Sequence, residues 1–439
     1  MQSDNSSCVI GSVSDPSKGN TSPGGAGVYV DNNGTAFITN VTFGYNNATS
    51  SGGALYVKHS SATTTGVTFT YNTAKYGGAI IIYGAEVDVN SNTFSSNTST
   101  SGIGGAIYVR GGDEDISPNS TVNIDSSIFQ ENDSQGTGGA IYINTNSSVD
   151  ILNSSFDSNT ATTDGGAIYS LSELTIQNCS FVSNSAGKDG GALFIQNSAC
   201  HFISGSLHGN IAVSNGGAIA LYSSSTLNID SITATGNTAN LGGVFYVNRS
   251  NLNIITNLEE TIVFGTTNAS QADELANSAT SKGGVIYSTI GGNVTIKGAV
   301  FSYNHSANGG AIAGSHASGC TISITNSSFV GNSSSSNGGA IYGEGASSFT
   351  IQGSTFSYNV AQCGAAIYGK ESSVFELSNC VFSNNSSNGS GGAISIYGSS
   401  KMTVNGCNFI SNTAKTTGGA ILSVDHFLVI WIANLIDSL

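Results

Sequence analysis

Residues 138–164 read GGAIYINTNSSVDILNSSFDSNTATTD, and this stretch decides the fold. Gly138-Gly139 opens it, and Ala140-Ile141-Tyr142-Ile143 alternates as a short strand does. Asn144 to Ser147 make a turn. Ser148-Val149-Asp150-Ile151-Leu152 alternates again as a second strand. After a turn at Asn153, Ser154-Ser155-Phe156 forms a third. Asn159 turns the chain once more, and Thr160 to Asp164 lead into the next Gly-Gly. Three short strands and three turns in one such stretch describe one triangular coil.

The pattern recurs along the whole chain. Gly-Gly-Ala-aliphatic, or a close variant, begins at 24, 52, 77, 104, 138, 165, 190, 216, 242, 283, 309, 338, 364, 391 and 418. Spacings are 25 to 29 residues, apart from one of 34 and one of 41. Phe-x-x-Asn runs in phase, from Phe43, Phe69, Phe94, Phe129, Phe156 and Phe181, then from Phe301, Phe329, Phe356, Phe382 and Phe409. Between these blocks it degrades to Leu207…Asn210, Ala234…Asn237 and a stretched Phe264…Asn268. A fixed period of this size means a stack of units rather than one globular core. The expected fold is all-β: a single-stranded, right-handed parallel β-helix of the pectin-lyase-like kind, with about 15 coils. The common handedness of parallel connections favours the right-handed form.

The columns of this stack have separate expected jobs. The Phe column fills the interior, and the Asn column forms a ladder of stacked amides. Three residues before each Phe stand Asn40, Ser91, Ser126, Asn153, Asn178, Ser204, Ser231, Gly298, Asn326, Gly353, Asn379 and Gly406. Asn and Gly tolerate a left-handed turn, so a corner is expected there. Cys179, Cys380 and Cys407 sit two before the Phe, where other coils have Ser, Gly or Ala. That is a small inward position in which Cys acts as a small apolar residue. Cys380 and Cys407 stack on adjacent coils, in reach of a bridge, although buried free thiols are the expected state. With Cys8, Cys200, Cys320 and Cys363 the count is seven, so at least one thiol lacks an internal partner.

Composition excludes several function classes. The net charge is −15 with only 11 Lys and Arg among 439 residues. Nucleic-acid binding needs clustered cations, and none cluster here. Charged residues are 8% of the chain, against about a quarter in typical domains. The N-terminal residues show no basic and apolar leader pattern. At the far end, Phe427 to Ile436 breaks the repeat and is too short to span a bilayer. It reads as an amphipathic end cap or as a gene-model artefact. Repeats run nearly to both ends, as expected of a fragment. The expected organisation is an N-terminal segment over 1–23, a β-helix over 24–425 and an apolar tail over 426–439.

Paired Gly-Gly-Ala-Ile and Phe-x-x-Asn, over about residues 24 to 422, resemble the repeats of the chlamydial polymorphic outer membrane proteins and of related surface proteins in some protists. The resemblance implies a surface or secreted β-helical scaffold, several relatives of which act in adhesion. The bacterial members end in an autotransporter barrel that this sequence does not contain.

The column after each Gly-Gly-Ala-aliphatic is the candidate contact surface: Tyr56, Tyr108, Tyr142, Tyr169, Phe194, Tyr246, Tyr287, Tyr342 and Tyr368. With the preceding aliphatic residue inward, alternation sends this column outward, where aromatic rings suit sugars or a partner protein. The competing interpretation is a core filler. Arg110-Gly111-Gly112-Asp113-Glu114-Asp115 could offer calcium carboxylates, but fits no calcium-loop pattern and reads as a solvated loop. A second insertion, 257 to 282, holds Glu259-Glu260 and Asp273-Glu274. His59, His201, His208, His305, His316 and His426 lack metal-ligand spacing. Asp125 and Asp230 share a coil position but lie coils apart. About twenty Asn-x-Ser/Thr sequons occur; those on the ladder, such as Asn304 and Asn332, are expected to be blocked.

The expectation is a non-enzymatic cell-surface or secreted protein, adhesin-like or structural, that binds glycans or a host or partner surface protein. No cofactor, metal or nucleic acid is expected. Membrane association is expected only through segments absent from or unrecognised in this sequence. The place is extracellular or the cell surface, the outer membrane if bacterial. The alternative is a polysaccharide lyase or hydrolase on the same fold, which needs acids matched across neighbouring coils. Scattered Thr residues speak against an ice-binding face.

Overall fold

The computed structural model describes residues 8–12, 14–112, 119–256, 262–424 and 427–431. They divide into two compact units, Met1–Val213 and Ser214–Leu439. Each unit is a parallel β-helix with three sheets. Counted over both units, two of the three faces comprise 15 strands each.

In the first unit, residues 138–164 contribute strands Ile141–Ile143, Ser147–Leu152 and Ser155–Asp157, with a fourth short strand at Thr160–Ala161. Each pairs in parallel with its counterpart one coil on: Ile141 with Ile168, Val149 with Leu174, Phe156 with Phe181 and Thr160 with Ser185. The strands before and after the Asn153 corner lie in one sheet, so four strands make three faces. The second unit repeats the scheme, as in Ile367 with Ile394, Phe382 with Phe409 and Ser386 with Thr413. Among the described residues, helix is confined to single turns at Pro16–Lys18, Ala269–Gln271 and Ala272–Leu275.

Parallel strands in register place like residues one above another at about 4.8 Å. In the first unit the Phe rings therefore stack, with centroids 4.6 Å apart for Phe94 and Phe129 and 4.7 Å for Phe129 and Phe156. In the second, Phe329 and Phe356 are 4.7 Å apart and Phe382 and Phe409 4.8 Å. Where the repeat lacks its Phe, another strand supplies one. In the coil with Leu207, Phe202 is fully buried and meets Phe181 edge-on at 5.9 Å. After the coil with Ala234, Phe245 on the next double-glycine strand meets Phe264 edge-on at 5.7 Å.

The Asn ladder forms as expected. In the first unit, Asn46, Asn72, Asn97, Asn132, Asn159, Asn184 and Asn210 bond side chain to side chain at 2.9–3.0 Å. In the second, the ladder runs through Asn237, Asn277, Asn304, Asn332, Asn359, Asn385 and Asn412. Asn277, not the expected Asn268, holds the rung after Asn237. The insertion lies between Phe264 and Asn277, so counting from the Phe stopped too early. The signal was available: a buried Ala follows two residues later in Asn72-Thr73-Ala74, Asn159-Thr160-Ala161 and Asn277-Ser278-Ala279 alike.

Ten of the twelve expected corners have positive φ, from 48° at Asn326 to 76° at Gly298. Ser204 and Ser231 do not; there the chain runs straight through in strands Ala199–His208 and Thr226–Thr235. The small position two before the Phe is inward, and its hydroxyls and thiols form a second ladder. Ser127 N–H donates to Ser154 Oγ at 3.0 Å, and Cys380 N–H to Cys407 Sγ at 3.3 Å. The described cysteines are all free thiols.

The double glycine is a steric requirement. At Gly138 φ is 63° and an added Cβ would lie 2.3 Å from the Ile141 carbonyl oxygen; at Gly139 it would lie 1.9 Å from the Gly166 oxygen one coil on. Ala365 takes the second-glycine place in one coil, where the sequence reads Gly364-Ala365-Ala366. The first repeat also shifts by one residue: Val28 pairs with Leu55, so its leading glycine is Gly25, not Gly24.

Strand pairing also occurs outside residues 24–425. Cys8–Gly11 pairs in parallel with Val41–Gly44, which puts a strand inside the presumed N-terminal segment. Phe427–Trp431 pairs in parallel with Lys401–Asn405, so the start of the apolar tail is a further strand.

Candidate functional site

The strand after each double glycine sets the aromatic column. Its odd positions face the core: Leu55 and Val57, Ile107 and Val109, Ile141 and Ile143 are all fully buried. Tyr56, Tyr108 and Tyr142, between them, take the opposite face by alternation. The structure thus places the column outside the core, but as a covered surface rather than an open platform. In the first unit Tyr56, Tyr108, Tyr142 and Tyr169 are half-buried and Phe194 is buried. In the second, Tyr246, Tyr287 and Tyr342 are buried and Tyr368 is half-buried.

The cause is the glycine backbone. Cβ atoms at Gly77 and Gly309 would lie 3.2 and 3.1 Å from the Cβ of Tyr108 and Tyr342, one coil on. The tyrosines settle over the bare chain and along one another. Tyr142 stacks on Tyr169 at 5.0 Å and Tyr169 on Phe194 at 4.8 Å; in the second unit Tyr342 and Tyr368 are parallel at 5.7 Å. Burial raises the hydroxyl pKa of Tyr169 to about 12 and lifts those of Tyr56, Tyr108 and Tyr368 as well. These hydroxyls are protonated donors at neutral pH.

One ion cluster adjoins the column in the second unit. Glu344 takes both Lys282 and Lys370, the latter at 2.7 Å, and accepts from Ser315 Oγ at 2.8 Å. Burial works against its charge, but hydrogen bonds from Lys282, Lys370 and Ser315 outweigh it and hold the carboxyl near 2. Lys282 also lies 5.6 Å from the Tyr342 ring centroid. A cation at that distance is attracted by the ring face.

A second set of aromatics escaped the sequence analysis: Tyr45, Tyr71, Tyr303 and Tyr358, each just before a ladder Asn. All four hold φ between 53° and 58°, a left-handed corner that bulky residues rarely take. Tyr45 and Tyr71 stack at 4.8 Å in the first unit, and Tyr358 is 61% exposed in the second. Their signal was the Tyr at the second variable place of Phe-x-x-Asn.

Asp113, Glu114 and Asp115 lie outside the described residues, as do Glu259, Glu260 and His426. Asp125 falls in the first unit and Asp230 in the second. No three His, Cys, Asp or Glu side chains converge as metal ligands among the described residues. Among those residues no helix is long and apolar enough to cross a membrane. Asn304 and Asn332 are fully buried, with their amide nitrogens committed to the ladder.

Parallel sheets, the stacked Phe column and the Asn ladder define a parallel β-helix, and its family match supplies the right-handed sense. Residues 267–428 match the family model of the right handed beta helix region. Residues 40–58, 66–81, 93–110 and 153–171 match the Chlamydia polymorphic membrane protein repeat. Each of the four spans a motif Phe, its Asn and the following double glycine. The chain is therefore a parallel β-helix, four segments of which are similar to the repeats of the Chlamydia polymorphic membrane proteins. No curated protein matches the sequence.

Proposed function

We propose that the chain is a non-enzymatic, adhesin-like or structural β-helix, displayed outside the cell, which engages glycans or a partner protein through its outward faces. The observation that carries this reading is the aromatic column on the outer side of the double-glycine strands, interrupted by Ile81, Ala220, Ala313 and Ser395. Tyr142 and Tyr169, and Tyr342 and Tyr368, hold their rings parallel on neighbouring coils, and a rigid surface loses little entropy on binding. The members with solvent access are Tyr56, Tyr108, Tyr142 and Tyr169 in the first unit and Tyr368 in the second. The repeat family supports the placement at a surface. The acidic composition, with net charge −15, disfavours polyanionic ligands and the uronate substrates of a lyase.

The test pairs two measurements on the full chain. Neutral and uronate polysaccharides, with and without calcium, are assayed for new chain ends over hours. Adhesion of the labelled protein to cells is then compared with a variant carrying Tyr142→Ser and Tyr169→Ser. No new ends, together with adhesion that falls in the variant, is the expected result. New chain ends, or adhesion indifferent to the tyrosines, overturns it.

A further inference from the structure

In the second unit, the residues inserted before Asn277 raise a wall beside the ladder corner. Glu274 and Ala276 stand on this wall, which is tied to the coil by Gly236 N–H donating to the Leu275 carbonyl at 3.0 Å. Beside it lies a cavity of about 470 Å³, lined further by Thr238, Ser278, Tyr303, His305 and Ser333. Cavities of this size bind small molecules.

The floor is a register product. Thr238, Ser278, His305 and Ser333 each follow a ladder Asn, and they pair coil by coil in parallel strands. Three strand spacings make a polar track roughly 14 Å long. His305 Nδ1 and Ser333 Oγ lie 3.0 Å apart. The Tyr303 ring, which also lines the recess, lies over Gly331, where an added Cβ would sit 2.5 Å from it. Glycine at 331 makes room for the ring, and the left-handed corner at Tyr303, φ 57°, aims it outward.

We propose that this recess binds a short neutral saccharide. One aromatic ring beside a row of hydroxyls suits a ligand with an apolar ring face and hydroxyl edges. Glu274 and His305 add an acceptor and a donor–acceptor for vicinal hydroxyls. No Lys or Arg lines the cavity, so a sulfated, phosphorylated or uronate sugar would meet a carboxylate and no countercharge. Apart from Tyr303 the lining offers no apolar pocket for a peptide side chain. The recess is separate from the aromatic file, so its failure would leave the surface-contact reading standing.

The experiment is calorimetric titration of the full chain with maltotriose, cellotriose, triacetylchitotriose and, as the anionic control, trigalacturonate. At least one neutral trisaccharide binds. Tyr303→Ala weakens it about tenfold, the loss of one stacking contact, whereas Tyr303→Trp retains it. Tyr358→Ala, at a corner without a wall, leaves it unchanged, and circular dichroism checks that each variant is folded. Binding of none of the neutral sugars, preference for trigalacturonate, or equal loss in Tyr303→Ala and Tyr358→Ala overturns the proposal.

Discussion

The Asn132 side-chain nitrogen donates to Asn159 Oδ1 at 2.9 Å and to the Phe94 carbonyl at 3.0 Å, reaching the coil after it and the coil before it. Its Oδ1 accepts from both the side chain and the backbone of Asn97, at 3.0 and 3.1 Å. Two donors and two acceptors are all that a carboxamide has, and all are used in a residue with no solvent exposure. Such a network is fully satisfied, which makes any single deletion costly.

Asn132→Ala should therefore cost about 3 kcal/mol, because it leaves partners on both neighbouring coils unsatisfied. Asn132→Asp should cost more, since an oxygen would replace the donor and face the Phe94 and Asn159 oxygens. In a stacked array the loss should stay near its origin. Hydrogen exchange checks both points: protection falls around residues 94–97 and 156–159 and persists around 43–46.

Much of this was legible because stacking converts sequence period directly into space. A column of Phe or Asn in the sequence is a column in the structure, and the inward place of Cys179 followed from the Ser and Ala found there in other coils. What failed depended on neighbouring coils rather than on one coil. The tyrosines' outward sense follows from alternation, but their cover comes from glycines one coil away. Asn277 was hidden by an insertion, and the straight passages at Ser204 and Ser231 depend on how adjacent strands pair. Tyr303 became a candidate only through Gly331 beneath it and the recess that both line.

Asp164 and Asp189 precede the double glycines of successive coils in the first unit, with Lys188 3.7 Å from Asp189. Burial raises the Asp164 pKa, and the Asp189 charge adds to it against Lys188. Its Oδ1 is buried without a hydrogen-bond partner. A carboxyl whose folded pKa lies above its unfolded one contributes stability at low pH and loses it as pH rises through the folded value. At pH 7 the ionised group is a liability. Asp164→Asn should raise the melting temperature at pH 7, and the gain should vanish towards pH 3. A gain that is constant with pH would mean that packing, not charge, is the cause.

Cys380 and Cys407 occupy the same inward place on adjacent coils, yet their thiols should differ sharply in reactivity. The Cys380 side chain beside Cys407, with the Cys380 N–H that donates to Cys407 Sγ at 3.3 Å, lowers the Cys407 thiol despite partial burial. The same contact, with burial, pushes Cys380 up. Cys179 and Cys200 are raised by burial to about 11 and about 12. The thiolate is the nucleophile, so iodoacetamide at pH 7 should label Cys407 well before Cys380, Cys179 or Cys200. Mass spectrometry of peptides over a time course reads the order directly. The Cys407 rate should rise with pH through a midpoint below the ordinary thiol value, and Cys380→Ala, which removes the neighbouring thiol, should move that midpoint up and slow labelling at pH 7. A Cys407 midpoint that ignores Cys380→Ala would mean that its acidity has another source.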